Sequence, residues 1–217
     1  MNAPDTLVIN EIFHSIQGES TWAGWPCVFV RLTACNLRCN WCDTEYAFNE
    51  GTSRSVEEVA RQVLAYDCPL VEITGGEPLL QEHVYPLMER LLGAGRRVLL
   101  ETGGGVATDR VPEGVTTILD VKCPGSGMHE RNVWENLDRL RPGDELKFVI
   151  ADRRDYEWAR DLVRERRLAQ RATVHFSGVW GDVEPRQLAE WILADRLPVR
   201  LNLQLHKWIW EPQTRGV

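Results

Sequence analysis

Seven short apolar runs, most of them separated by segments of helical period, constrain the fold of this 217-residue chain more than any other feature. They fall at residues 27–32, 70–74, 97–101, 116–121, 145–150, 172–176 and 199–204, and read as strands. Ser55-Val56-Glu57-Glu58 has the form of a capping box that opens a helix running to about Tyr66. Periodicity predicts further helices over 80–92, 130–140, 155–168 and 185–194. Strands joined through helices pair in parallel, because a parallel return needs a long crossover. The expected class is therefore α/β, one domain over residues 1–217, with a parallel sheet in a partial barrel or an open form.

Unusual residues collect where these strands end. A cysteine cluster follows the first run, Thr74-Gly75-Gly76-Glu77-Pro78 closes the second, and Glu101-Thr102-Gly103-Gly104-Gly105 closes the third. Asp120-Val121-Lys122 closes the fourth and Gln204-Leu205-His206-Lys207 the last. Parallel strands put their carboxyl ends on one side of the sheet, so segments distant in sequence are expected to surround a single mouth.

Composition narrows the partners. Lys and Arg total 25 against 32 Asp and Glu, a formal charge of −7, which argues against a duplex nucleic-acid binder. Met1-Asn2-Ala3-Pro4-Asp5 lacks the basic and apolar regions of a signal peptide, and no apolar run is long enough to span a bilayer. A cytoplasmic protein with no membrane partner is expected. The arginine-rich stretch 160–171 reads as a solvated helix face, and the nine tryptophans as core and interface residues.

Cys27, Cys68 and Cys123 are scattered, whereas Cys35-Asn36-Leu37-Arg38-Cys39-Asn40-Trp41-Cys42 packs three thiols into eight residues as C-x3-C-x2-C. Without a secretory signal such a cluster points to metal binding or catalysis. A structural zinc site and an ordinary electron-transfer [4Fe–4S] cluster both take four protein ligands. Three ligands leave an open position where chemistry can occur. The spacing alone leaves a second reading open, a zinc site completed by a distant residue such as Cys27 or His14.

The triplet, with an aromatic residue before its last cysteine, resembles the signature of the radical S-adenosylmethionine (SAM) superfamily, and Gly75-Gly76-Glu77-Pro78 resembles that superfamily's GGEP motif. Further stretches resemble one branch, the 7-carboxy-7-deazaguanine synthase family of the queuosine and 7-deazapurine pathway. They are Glu11-Ile12-Phe13, Ser15-Ile16-Gln17-Gly18-Glu19, Phe29-Val30-Arg31-Leu32, Cys42-Asp43-Thr44 and Gln204-Leu205-His206-Lys207. The resemblance implies a trimmed, incomplete β/α barrel. It also implies a lyase that turns 6-carboxy-5,6,7,8-tetrahydropterin into 7-carboxy-7-deazaguanine with loss of ammonia. The implied cofactors are one [4Fe–4S] cluster, SAM and Mg²⁺. An electron donor such as flavodoxin or ferredoxin and a homodimer are implied as well.

By matching position, the resemblance makes Cys35, Cys39 and Cys42 the cluster ligands and Thr44 a ligand of Mg²⁺, a cation that takes oxygen donors. Ile16, Gln17, Gly18, Thr74 and His206 would line the pterin, and Arg31 would pair its planar fork with the pterin carboxylate. Trp41, Cys42, Asp43, Gly76 and Glu77 would contact SAM, with Lys122 and Ser126 on its far side. Glycines admit close backbone approach, and a carboxylate accepts from an ammonium.

Each position also has a plainer reading. Arg31 is unusual in an apolar strand because charged side chains are rarely buried unpaired. Gln17-Gly18-Glu19 fits a surface turn, Thr44 a helix N-cap, and His206 a satisfied core histidine. The family usually shows Gly where this chain has Ser20 and Asn where it has Gly103, and Ser is common where the 122–126 loop has Gly125. A radical SAM activase acting on a partner protein, and a non-catalytic metal-binding module, are the competing functions.

Overall fold

The computed structural model describes residues 5–217; residues 1–4, on which most of the signal-peptide reading rests, lie outside them. Nine strands form one sheet: β1 (Thr6–Ile16), β2 (Pro26–Leu32), β3 (Thr52–Ser55), β4 (Leu70–Gly75), β5 (Arg97–Thr102), β6 (Val115–Asp120), β7 (Glu145–Ile150), β8 (Thr173–Gly178) and β9 (Arg200–Leu201). Their order is β3-β1-β2-β4-β5-β6-β7-β8-β9. Every pair from β2 onward is parallel, while β1 is antiparallel to both β2 and β3. The sheet is open, with β3 and β9 at its edges, in keeping with an incomplete barrel.

Helices α1 (Val56–Ala65), α2 (Val84–Gly93), α3 (Arg153–Glu165) and α4 (Pro185–Ala194) make four of the six crossovers, and a single turn, α5 (His206–Ile209), follows β9. The capping box forms as expected: Ser55 Oγ accepts from Glu58 N and the Glu58 carboxylate accepts from Ser55 N. Asp152 caps α3 by accepting from Arg154 N and Asp155 N. Apolar side chains collect in two clusters, one of β1, β2, β4 and β5 with α1 and α2, the other of β7 and β8 with α3 and α4. Each fully buried Leu or Val there contributes roughly 1.5–3 kcal/mol.

Two local expectations are corrected. Residues 130–140 form no helix but two 3-10 turns, His129–Arg131 and Trp134–Leu137. Asn132 breaks the run: its amide donates to Lys122 O (2.9 Å), and its Oδ1 accepts from Lys122 N (3.0 Å). Val133 N turns away to Gly104 O. The last strand shrinks to Arg200–Leu201, so His206 enters the site from α5 and not from a strand. Strands β1 and β3, at one edge, carry no matching expectation.

Candidate active site

The cysteine loop begins where β2 ends. Ala34 adopts a φ of 78°, in the left-handed region, and swings the chain out of the strand just before Cys35. The turn after β4 is fastened beneath it, with Gly76 N donating to Leu32 O (3.2 Å) and Glu77 N to Ala34 O (2.7 Å). A β-carbon on Gly76 would lie 2.0 Å from Ala34 O, so only glycine fits this contact. Neighbouring loops hold the rest: Asn36 donates to Gly105 O (3.1 Å), Asn40 Nδ2 to Gly125 O (2.8 Å) and Asn40 N to Ser126 O (3.1 Å).

Cys35, Cys39 and Cys42 are unpaired, partly buried, and all line one cavity of about 270 Å³. Burial pushes all three thiols up. Among the described residues no three Cys, His, Asp or Glu side chains are grouped to hold a single metal ion. A [4Fe–4S] cluster makes a different demand, because each thiolate binds a separate iron.

The same cavity brings together nearly every residue singled out in the sequence: Ile16, Gln17, Gly18, Arg31, Trp41, Asp43, Thr44, Thr74, Gly76, Lys122 and His206. Glu77 and Ser126 stand behind its wall, both fully buried. The Glu77 carboxylate accepts from Leu79 N, Thr102 Oγ1 and Gly103 N, tying the ends of β4 and β5 together. Ser126 Oγ donates to Cys123 O and accepts from Met128 N, while its carbonyl steadies Asn40.

Charged residues to which the sequence assigned no individual role line the cavity floor. Glu72, Glu101, Asp120 and Lys147 sit within apolar strands and share one face, as the registers Thr74 beside Arg31 and Lys147 beside Asp120 require. Lys147 Nζ pairs with Glu101 and with Glu19 (3.0 Å). Lys122 Nζ meets Asp120 at 2.7 Å. Burial works to discharge Lys147, yet Glu101 and Glu19 prevail and hold its pKa well above the ordinary lysine value. Burial, then the neighbouring Glu101, drives the Glu72 carboxyl well above the carboxylate range, and Gln17 donates its amide to it. The signal that could have revealed these residues is the one that revealed Arg31, a lone charge inside an apolar run.

Arg31 has a partner within the chain. Its Nε donates to Glu11 Oε1 (2.8 Å), which also accepts from Tyr46 OH (2.8 Å). Its two terminal nitrogens have no hydrogen-bond partner among the described residues and belong to a side chain on the cavity wall. Gly18 fits His206: a β-carbon there would lie 2.2 Å from His206 Nδ1. Burial lowers the His206 pKa, which favours a neutral ring. Thr44 stands at the N-cap of a 3-10 turn but does not cap it; its hydroxyl donates to Asp43 Oδ1 (2.9 Å). Burial opposes the Asp43 charge, but Lys207 at 2.7 Å prevails and holds the carboxyl at about 2. Ser20, one departure from the family pattern, has a φ of 63°, which glycine would adopt without strain.

The Radical SAM superfamily model matches residues 30–123, which span the cysteine loop and the turns after β4 and β5. A 7-carboxy-7-deazaguanine synthase of Chlorobaculum tepidum is 48% identical over 220 residues, covering 100% of both chains. The chain belongs to the 7-carboxy-7-deazaguanine synthase family. The Koribacter versatilis 7-carboxy-7-deazaguanine synthase is 50% identical over 227 residues, covering 97% of this chain and 100% of its own. The fold matches the crystal structure of QueE from Escherichia coli with a TM-score of 0.77, at 23% identity, over 92% of this chain and 94% of that one. In this family member no described helix is long and apolar enough to cross a membrane.

Proposed function

We propose that this chain converts 6-carboxy-5,6,7,8-tetrahydropterin to 7-carboxy-7-deazaguanine with loss of ammonia, as a single-domain cytoplasmic enzyme. The observation that carries the reading is one cavity lined both by three free thiols and by the Arg31 side chain. Full-length identity to named synthases favours this over a protein activase or an inert metal module.

In this reading Cys35, Cys39 and Cys42 would hold the cluster, and SAM would bind beside it. Such a cluster, when bound and reduced, would supply the electron that cleaves SAM and so the carbon radical for hydrogen abstraction. The protein supplies position and exclusion of water. Trp41, Asp43 and Gly76 border SAM, and Lys122 faces the same space. Glu77 and Ser126 act from behind the wall, shaping the turns that SAM meets. Ile16, Gln17, Gly18, Thr74 and His206 enclose the pterin, and Arg31 reads its carboxylate. Lys147, flanked by Glu19 and Glu101, adds a fixed positive charge within the cavity.

Incubating the iron-reconstituted protein anaerobically with carboxypterin, SAM and a strong reductant should yield 7-carboxy-7-deazaguanine by mass and one equivalent of ammonia. Reductive SAM cleavage without pterin turnover would reject the substrate, and no cleavage would reject the enzyme. A flavodoxin or ferredoxin is the expected physiological donor.

Mg²⁺ falls to Thr44, because its hydroxyl lines the cavity and is not used as a cap. Thr44→Val keeps the shape and removes the oxygen, so stimulation by Mg²⁺ should fall at least tenfold while iron content holds, about the loss of one ligand to a hard cation. Unchanged metal dependence would remove Thr44 from the site. A homodimer is supported by exposed Trp180, Leu201, Trp208 and Ile209, which lie near the β9 edge.

A further inference from the structure

The connection between β1 and β2, residues 17–25, is a closed loop that bridges much of the sheet. Its neck is backbone to backbone, with Gln17 N donating to Trp25 O and Gly24 N to Gln17 O, both at 2.8 Å. Its tip lies far from that neck in the topology, over β7, β8 and β9. Thr21 N donates to Glu145 Oε2 (3.0 Å), Thr21 Oγ1 donates to Glu145 Oε1, and Ser20 N donates to Asn202 Oδ1 (3.0 Å). Between neck and tip lie Gly18 and Glu19, which line the cavity.

Glu145 and His175 are almost fully buried, at 2% and 1% exposure, and neither lines that cavity. His175 Nε2 lies 2.5 Å from Glu145 Oε2, and His175 Nδ1 is buried with no partner among the described residues. The ring's polar contact is thus Glu145 alone, and the carboxylate's remaining acceptors all serve Thr21. A buried polar pair is weak evidence for stability, since apolar residues of equal volume often do as well. Its hydrogen bonds here run to a loop tip and not to the sheet.

We propose that Glu145 and His175 form a positioning unit that fixes the tip of the 17–25 loop and so sets where Gln17, Gly18 and Glu19 face the substrate. His175 orients the carboxylate, and the carboxylate holds Thr21. The unit acts on the substrate side of the cavity and leaves the cysteine loop alone. The kinetic part rests on the carboxypterin reading above; the structural part does not.

Two measurements separate them. Hydrogen exchange on the intact protein should show the Thr21 amide exchanging about tenfold faster in His175→Leu, the loss of a charge-assisted bond, with residues 35–42 unchanged. His175→Gln, whose amide can still donate to Glu145, should restore most of the protection. In turnover, KM for carboxypterin should rise about tenfold in His175→Leu while KM for SAM and iron content stay level. Thr21→Val should behave similarly, and the double variant should be no worse than the worse single, because both act through Glu145. Exchange that rises uniformly, a Gln variant as poor as Leu, equal changes in both KM values, or strict additivity would overturn the unit. If wild type fails to turn over carboxypterin, the substrate assignment falls and the exchange comparison still decides this proposal. Should His175→Leu not fold, the Thr21→Val exchange and KM pattern decides between the same two outcomes.

Discussion

Gly76→Ala is expected to retain a folded sheet but to hold far less than the roughly four irons per chain of a [4Fe–4S] cluster. The added β-carbon would sit 2.0 Å from Ala34 O, 2.5 Å from Ala34 C and 3.1 Å from Cys35 Cβ. Two of those neighbours are backbone atoms, so no side-chain rotation can relieve the clash. The chain before Cys35 must move, and Ala34 has little freedom because it already occupies the left-handed region. Overpacking typically costs about 1–3 kcal/mol, and here the displacement falls on Cys35, a proposed cluster ligand. Iron and sulfide analysis after anaerobic reconstitution, beside a circular-dichroism melt, reads both effects. Gly93→Ala is the control, because nothing lies within 4 Å of its added β-carbon at the end of α2. That change should be neutral or stabilising by about 0.5–1 kcal/mol. Full iron content and normal SAM cleavage in Gly76→Ala would show that the two turns are not rigidly joined.

What can be read from the sequence follows from how local each signal is. The cysteine spacing, the glycine turn after β4 and the capping box at Ser55 each depend on a few adjacent residues, and each appears where expected. Helix 130–140 fails because its decisive contact is distant: Asn132 grips the backbone of Lys122, which helical period cannot reveal. Strand β1 escapes notice because its burial is irregular, with a register shift between Ile9 and Glu11 that breaks the alternation. The cavity floor is only partly legible. Arg31 stands out as a charge in an apolar run, yet Glu72, Glu101 and Lys147 satisfy the same rule. Their mutual pairing depends on strand order, which places β4, β5, β6 and β7 side by side. The loop tip at Thr21 lies 124 residues from Glu145, beyond any pattern in the chain.

Arg31→Lys should weaken carboxypterin binding about tenfold to a hundredfold, the loss of one or two charge-assisted hydrogen bonds, and leave SAM cleavage without substrate nearly intact. A buried cation needs an anion, and within the chain Glu11 meets that need through Nε. Burial alone therefore does not demand a carboxylate from the substrate. The case for a ligand carboxylate rests on the other end of the guanidinium, whose terminal nitrogens are unpaired within the described residues in a side chain that lines the cavity. A lysine ammonium can satisfy Glu11 or a ligand carboxylate, but it cannot present a fork to one while bonding the other. Arg31→Ala is the cruder test, since it also strands Glu11, and breaking a buried pair costs about 3–5 kcal/mol. Glu11→Gln separates the two roles: it removes the internal pair's charge while leaving the fork in place. It should lower the melting temperature more than it weakens carboxypterin. Titration of wild type and the three variants with carboxypterin and with its decarboxylated analogue decides the role. The wild type should prefer the carboxylated ligand, and Arg31→Lys should lose most of that preference. Equal binding of both ligands by wild type, or an unchanged preference in Arg31→Lys, would leave Arg31 as the internal partner of Glu11 alone.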